Sequence, residues 1–150
     1  MSADPIVDEL TDLAFRITGQ LRAEFNAAAA QLDLPPAQAL VLVNLSGPTP
    51  MRQLAEWLSC EPSNVTGIVD GLERRGLVTR QPGAADRRVK QVVLTDEGER
   101  RRTELHSRSR MQAEALFALP DAERRQLRDL LDRVAQHSSP SCPGPCSPPD

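Results

Sequence analysis

The chain has 150 residues, with 18 Lys and Arg against 21 Asp and Glu and a formal net charge of -3, a length that suits one domain with a hydrophobic core of its own. It has no run of about 18 apolar residues and no basic segment leading into a short apolar stretch. This argues against a membrane span or a secretory leader and for a cytoplasmic protein, in which an odd count of three cysteines does not make a disulfide framework.

From about Pro5 to Ala30, Leu10, Leu13, Ala14, Ile17, Leu21 and Phe25 recur at helical spacing and predict one long amphipathic helix. Two prolines end it. The following AQALVLVNL is apolar nearly all round and predicts a helix buried in a core or a subunit interface. SGPTP breaks the chain again, with Thr49 expected as an N-cap and Pro50 at the first helical position. Met51, Leu54, Ala55 and Leu58 then form one apolar stripe, SCEP interrupts it, and a further helix opens at Pro62 with Val65, Ile68, Val69 and Leu72 as its stripe.

Two short helices joined by a tight turn give the helix-turn-helix plan. If the second packs by its aliphatic stripe, the helical rotation turns Ser63, Thr66, Gly67, Asp70, Gly71 and Arg74 outward. Such a face of short polar residues and glycines lets the backbone approach a groove closely. Gly76 is placed to stop the helix in a left-handed conformation. LVTRQ and VKQVVLT, rich in β-branched residues, then flank the turn PGAADRR as the strands of a hairpin would. A helix-turn-helix followed directly by a hairpin is a winged helix, so the expected fold is mainly α with a small β-hairpin wing.

Thr95 can cap the next helix, whose first turn holds Asp96 and Glu97 and which continues through RRRTELHSRSRMQAEALFAL. Pro120 starts the last one, with Leu127, Leu130, Leu131 and Val134 along one face. Residues 138–150, SSPSCPGPCSPPD, have five prolines and four serines and read as a disordered tail. Cys142 and Cys146 within it lack a neighbouring histidine and make a poor zinc site, and Cys60 reads as a small buried hydrophobe. No metal or cofactor is expected. A cysteine-based redox-sensing regulator is kept as one alternative.

Charge gives the pattern its direction. Residues 1–59 carry seven acids and three bases, a balance of -4, whereas from Arg74 to Lys90 six bases (Arg74, Arg75, Arg80, Arg87, Arg88, Lys90) meet one acid, Asp86, a balance of +5. An acidic chain that gathers its cations beside a hairpin tip is built to meet a polyanion there. An enzyme is not expected. There is no Tyr, the two histidines, His106 and His137, stand apart on helices, and neither paired carboxylates nor a Gly-rich phosphate loop occurs.

The segment from about Leu54 to Gly98 resembles the DNA-binding core of the MarR family of winged helix-turn-helix transcription factors. PSNVTGIVDGLERRGLVTR is similar to the family's recognition helix and first wing strand, and DRRVKQVVLTDEG to its wing pattern of Asp, any residue, Arg, then Leu-Thr and a Gly. The resemblance implies that Arg88 enters the minor groove and that Asp86 helps hold it; Arg87, between them, is better placed for a phosphate. The resemblance also implies groove contacts from Pro62, Ser63, Asn64, Thr66 and Gly67, with Arg74 and Lys90 completing the candidate DNA-binding set. Gly67 stands where a larger base-reading residue is common, which shifts the expected specificity toward DNA shape.

By the same resemblance, residues 1–137 form one MarR-type domain with a winged core at about 49–98, between dimerisation helices at about 5–31 and 96–137. The implied function is a sequence-specific, homodimeric repressor of double-stranded DNA, released from a pseudo-palindromic operator by a small-molecule effector. That effector would lie in a cleft between the dimerisation and winged parts. Phe15, Phe25 and Trp57 are candidates to line it, though core packing is the expectation for each. A winged helix that binds protein instead of DNA is the remaining alternative, and Asp86-x-Arg88 beside a basic segment argues against it.

Overall fold

The computed structural model describes residues 4–58 and 62–137; Cys60, Cys142, Cys146 and the tail 138–150 lie outside the described residues, as does the side chain of Pro62. Six helices and three short strands follow in order. They divide into one compact unit up to Ala113 and a second from Glu114 onward.

The first helix, α1, spans Pro5–Gln31. It begins where the Asp4 carboxylate accepts the Ile6 N–H at 3.0 Å and Pro5 occupies the first turn, leaving no orphan donor to waste. It ends in a Schellman turn. Leu34 N–H reaches back to the Ala29 carbonyl and Asp33 N–H to that of Ala30, with Asp33 at a φ of 55°. The recognition-like helix described below ends the same way, with Leu77 N–H on Leu72, Gly76 N–H on Glu73 and Gly76 at φ 71°. In both motifs the leucine after the left-handed residue, Leu34 or Leu77, is buried in the core. One site has the glycine the conformation favours and the other does not. Asp33→Gly is therefore expected to raise stability by about 0.5 kcal/mol, and Gly76→Ala to lower it by about 1 kcal/mol, in thermal melts at fixed protein concentration.

Helix α2, Pro36–Asn44, buries Ala39, Val41 and Leu42, as its apolar composition predicts. The next two elements depart from expectation. Thr49 and Pro50 form a strand, β1, paired antiparallel with the last strand of the sheet through Thr49↔Val92 and Pro50↔Gln91. Thr49 is therefore not an N-cap: its side chain is buried and its hydroxyl donates to the Gly47 carbonyl at 2.9 Å. A proline is at home here because β1 is an edge strand, where a missing N–H removes no ladder bond. The wing is consequently a three-stranded sheet in the order β1-β3-β2, with β2 at Val78–Pro82 and β3 at Lys90–Leu94.

Helix α3, Met51–Leu58, and helix α4, Pro62–Arg74, make the helix-turn-helix. Leu54, Val65, Val69 and Leu72 are fully buried, with Met51, Ala55, Leu58 and Ile68 packed around them. Gly71 is the exception to the expected outward face, because it is buried. It lies at the border of the stripe, and Gln38 of α2 covers it so closely that an added Cβ would stand 2.3 Å from Gln38 Nε2.

Helix α5, Asp96–Leu116, starts as expected: Thr95 Oγ1 accepts the Gly98 N–H at 3.0 Å, and Asp96, Glu97 and Glu99 fill its first turn. It is fastened to the preceding helices by polar side chains. Arg102 donates to the Leu45 carbonyl at 2.6 Å and Arg108 to Gln31 Oε1 at 2.5 Å, on either side of the buried Leu105. Helix α6, Asp121–His137, follows Pro120, whose carbonyl accepts the Arg124 N–H. It buries no residue, and Leu130, Leu131 and Val134 stand open along it. The stripe of α1 is likewise open over its first half, where Ile6, Val7, Leu10 and Leu13 are each about half or more exposed.

Candidate nucleic-acid interface

Helix α4 presents Ser63, Asn64, Thr66, Gly67 and Arg74 to solvent; Asp70 is half-buried. Nothing lies within 4 Å of where a Gly67 Cβ would stand, so the helix surface is cut back to its backbone there. The wing tip, residues 83–89, folds on itself. Gly83 N–H donates to the Val89 carbonyl at 2.8 Å, Val89 N–H to the Asp86 carbonyl at 3.1 Å, and Arg88 N–H to Asp86 Oδ1 at 2.9 Å. This is an Asx turn, in which a short carboxylate replaces a backbone acceptor. Gly83 has no room for a side chain, since a Cβ would come within 2.8 Å of the Asp86 carbonyl oxygen and 3.2 Å of that of Val89. The outcome is a tight tip with Arg87, Arg88 and Lys90 exposed.

Asp86 thus grips the backbone at Arg88 and not its guanidinium. Fixing the backbone sets where both neighbouring arginines start, which is a broader role than holding one side chain.

The six cations counted in the sequence are not equivalent. Arg75 donates to the Asp33 carbonyl at 2.6 Å, tying the end of α4 to the α1–α2 turn. Arg80 pairs with Asp70, at 2.5 Å, and with Glu73. Arg74, Arg87, Arg88 and Lys90 have no ion-pair partner among the described residues and face solvent. Burial alone would lower the Arg80 pKa, but the hydrogen bond and charge of Asp70, with those of Glu73, outweigh it and leave the pKa raised. Sequence reasoning counted Arg80 as one more surface cation. The signal was present in the strand alternation: Val78 points inward, Thr79 outward and Arg80 inward again, toward a helix with acids three residues apart.

A cleft of about 530 Å³ opens among α1, α2 and α3, lined by Leu21, Arg22, Phe25, Pro36, Leu40 and Leu58 among others. Of the three aromatic residues considered from sequence, Phe25 lines this cleft while also packing against the core. The expectation of core packing does not hold for Phe15, which is 73% exposed, or for Trp57, which is 37% exposed.

Residues 34–90 match the family model described as MarR family. The chain is 30% identical over 138 residues to the HTH-type transcriptional repressor MdtR of Bacillus subtilis (strain 168), covering 90% of this chain and 89% of that protein. The chain belongs to the MarR family.

Two solved structures share the fold. A MarR-family transcriptional regulator from Rhodococcus sp. RHA1 superposes with a TM-score of 0.71 at 29% identity, covering 89% of this chain and 98% of that one. CouR from Rhodococcus jostii RHA1, solved bound to p-coumaroyl-CoA, does so with a TM-score of 0.72 at 29% identity, over 97% and 100% of the two chains. As a MarR-family protein the chain is a DNA-binding winged helix-turn-helix regulator of transcription and not an enzyme. No described helix is long and apolar enough to cross a membrane.

Proposed function

We propose that this MarR-family chain works as a cytoplasmic homodimeric repressor, with α4 entering the major groove of double-stranded DNA and the wing reaching the adjacent minor groove. The observation that carries this reading is the division of the basic residues. Arg74, Arg87, Arg88 and Lys90 are left without internal ion-pair partners among the described residues, while Arg75 and Arg80 are engaged by acceptors within the fold. Unpaired cations on a tight turn beside a helix of short side chains suit phosphates and a narrow minor groove. On α4, Ser63, Asn64 and Thr66 supply donors and acceptors for base edges, Gly67 allows close approach, and Pro62 sits at the helix start where backbone amides face phosphate.

Dimerisation is proposed from the open apolar stripes of α1 and α6, each described above, which a second copy would bury. Residues 1–137 would then act as one functional domain, with 138–150 as a tail. The cleft among α1, α2 and α3 is the proposed effector site. CouR, which this chain resembles, was solved bound to p-coumaroyl-CoA, and a mostly apolar cleft with one arginine suits an amphipathic molecule.

Selection from a random-sequence duplex library, followed by hydroxyl-radical footprinting, tests the reading. A pseudo-palindrome is expected, with half-sites about one helical turn apart, roughly 10 base pairs centre to centre, and minor-groove protection flanking each. A single unrepeated half-site, or no enrichment, would rule out the dimeric grip.

A further inference from the structure

Arg80 reaches from β2 across to α4 and makes two ion pairs there, Nη2 to Asp70 Oδ1 at 2.5 Å and Nη1 to Glu73 Oε2. The same Nη2 lies 3.5 Å from the Thr66 carbonyl, one turn earlier on the helix. Its side chain is 23% exposed, whereas those of Asp70 and Glu73 are 46% and 41% exposed. Two carboxylates therefore stand half in solvent on the helix assigned to the DNA groove, and one guanidinium on the wing strand holds both.

We propose that Arg80 is a positioning residue for DNA binding, bracing α4 against the wing and cancelling the charge of Asp70 and Glu73 where the helix approaches phosphate. The inference rests on the α4–wing interface proposed above. Bracing follows from geometry. A planar fork engaging two acceptors one helical turn apart fixes the rotation of the helix about its axis relative to β2, which a single contact would not do. Cancellation follows from charge. Unpaired, the two carboxylates would place two negative charges beside a polyanion, where like charges repel over about a Debye length, roughly 8 Å at physiological salt. Ion pairs whose carboxylates stand half in solvent add little to folding stability. Their effect is expected in binding, which is what separates this role from a purely structural one.

A thermodynamic cycle distinguishes Arg80 acting through the acids from Arg80 touching DNA itself. The probe is a duplex that the wild-type full chain recovers from a random-sequence library, read by fluorescence anisotropy. Circular dichroism and thermal melts on each variant establish that it is folded under assay conditions. Arg80→Ala is expected to weaken binding about tenfold or more, a loss of roughly 1.4 kcal/mol. In the Asp70→Asn/Glu73→Gln background, the same substitution should cost less than about threefold, because the charges it answers are gone. Arg80→Lys, which keeps the charge but not the fork, should fall between Arg80→Ala and wild type.

An equal loss in both backgrounds would overturn the proposal and make Arg80 a direct DNA contact. Arg80→Ala binding like wild type would overturn it too. Arg88→Ala, measured in parallel, reports on the interface itself: binding lost there and kept in Arg80→Ala removes the positioning role alone.

Discussion

Gly98→Ala is expected to destabilise the protein by about 3 kcal/mol or more, lowering the melting temperature by roughly 6 to 12 °C. A Cβ at Gly98 would stand 1.9 Å from the Leu77 carbonyl oxygen and 2.9 Å from its carbon, both backbone atoms that cannot rotate away, with Leu94 Cδ2 at 3.2 Å. The crowding has a purpose. Leu77 O accepts the Thr95 N–H at 3.1 Å, the Thr95 hydroxyl donates to the Gly76 carbonyl at 2.6 Å, and Gly98 N–H donates back to Thr95 Oγ1. The start of α5 is thereby stapled to the corner between α4 and β2, and a methyl group would have to push that staple apart. Gly67→Ala is the matching control. With nothing within 4 Å and an ordinary helical position, it should leave the melting temperature unchanged or raise it, by up to about 1 kcal/mol of stability. Calorimetry at one protein concentration settles both; a Gly98→Ala variant melting within a degree of wild type would mean that α5 and β2 do not meet this closely.

The wing arginines carry the largest expected effect on binding. Arg88→Ala should cost about 1–3 kcal/mol per half-site on the selected duplex and less on scrambled DNA, because a guanidinium in a narrow minor groove responds to groove width. Arg87→Ala should weaken both duplexes alike and flatten the salt dependence by about one unit for each phosphate it no longer neutralises. Asp86→Ala removes the acceptor for the Arg88 N–H that orders the tip, so it should show a smaller share of both phenotypes. Anisotropy across a salt series on the two duplexes separates the three. If all three bind the selected duplex as wild type does, the wing does not touch DNA.

Much of this could be read in advance, where the local chemistry was also the global answer. The cap at Thr95, the left-handed Gly76 and the stripes of α3 and α4 depend on residues within a turn or two of each other, and each element formed as its periodicity predicts. What escaped required a partner distant in sequence. Thr49-Pro50 has the pattern of a helix start and became a strand only because β3, some forty residues later, offered an edge. Gly71 was assigned outward by rotation alone and was covered by Gln38 from an earlier helix. Arg80 looked like its basic neighbours until the fold brought Asp70 and Glu73 to it. Asp33 has no sequence mark of a left-handed residue beyond being an aspartate.

The strand order places β3 between β1 and β2, so the return strand of the wing is paired on both sides at Gln91 and Val92. The tip at 83–89, by contrast, is closed by its own short turn and Asp86. Root and tip are thus separable in evolution. Descendants of this sequence can lengthen, shorten or recharge the tip while the root keeps the helix-turn-helix in register, because nothing in the core depends on the tip. The exposed Arg87 and Arg88 can be exchanged there at little folding cost, whereas Gly83, which has no room for a side chain, and the root, clamped from two directions, admit few changes.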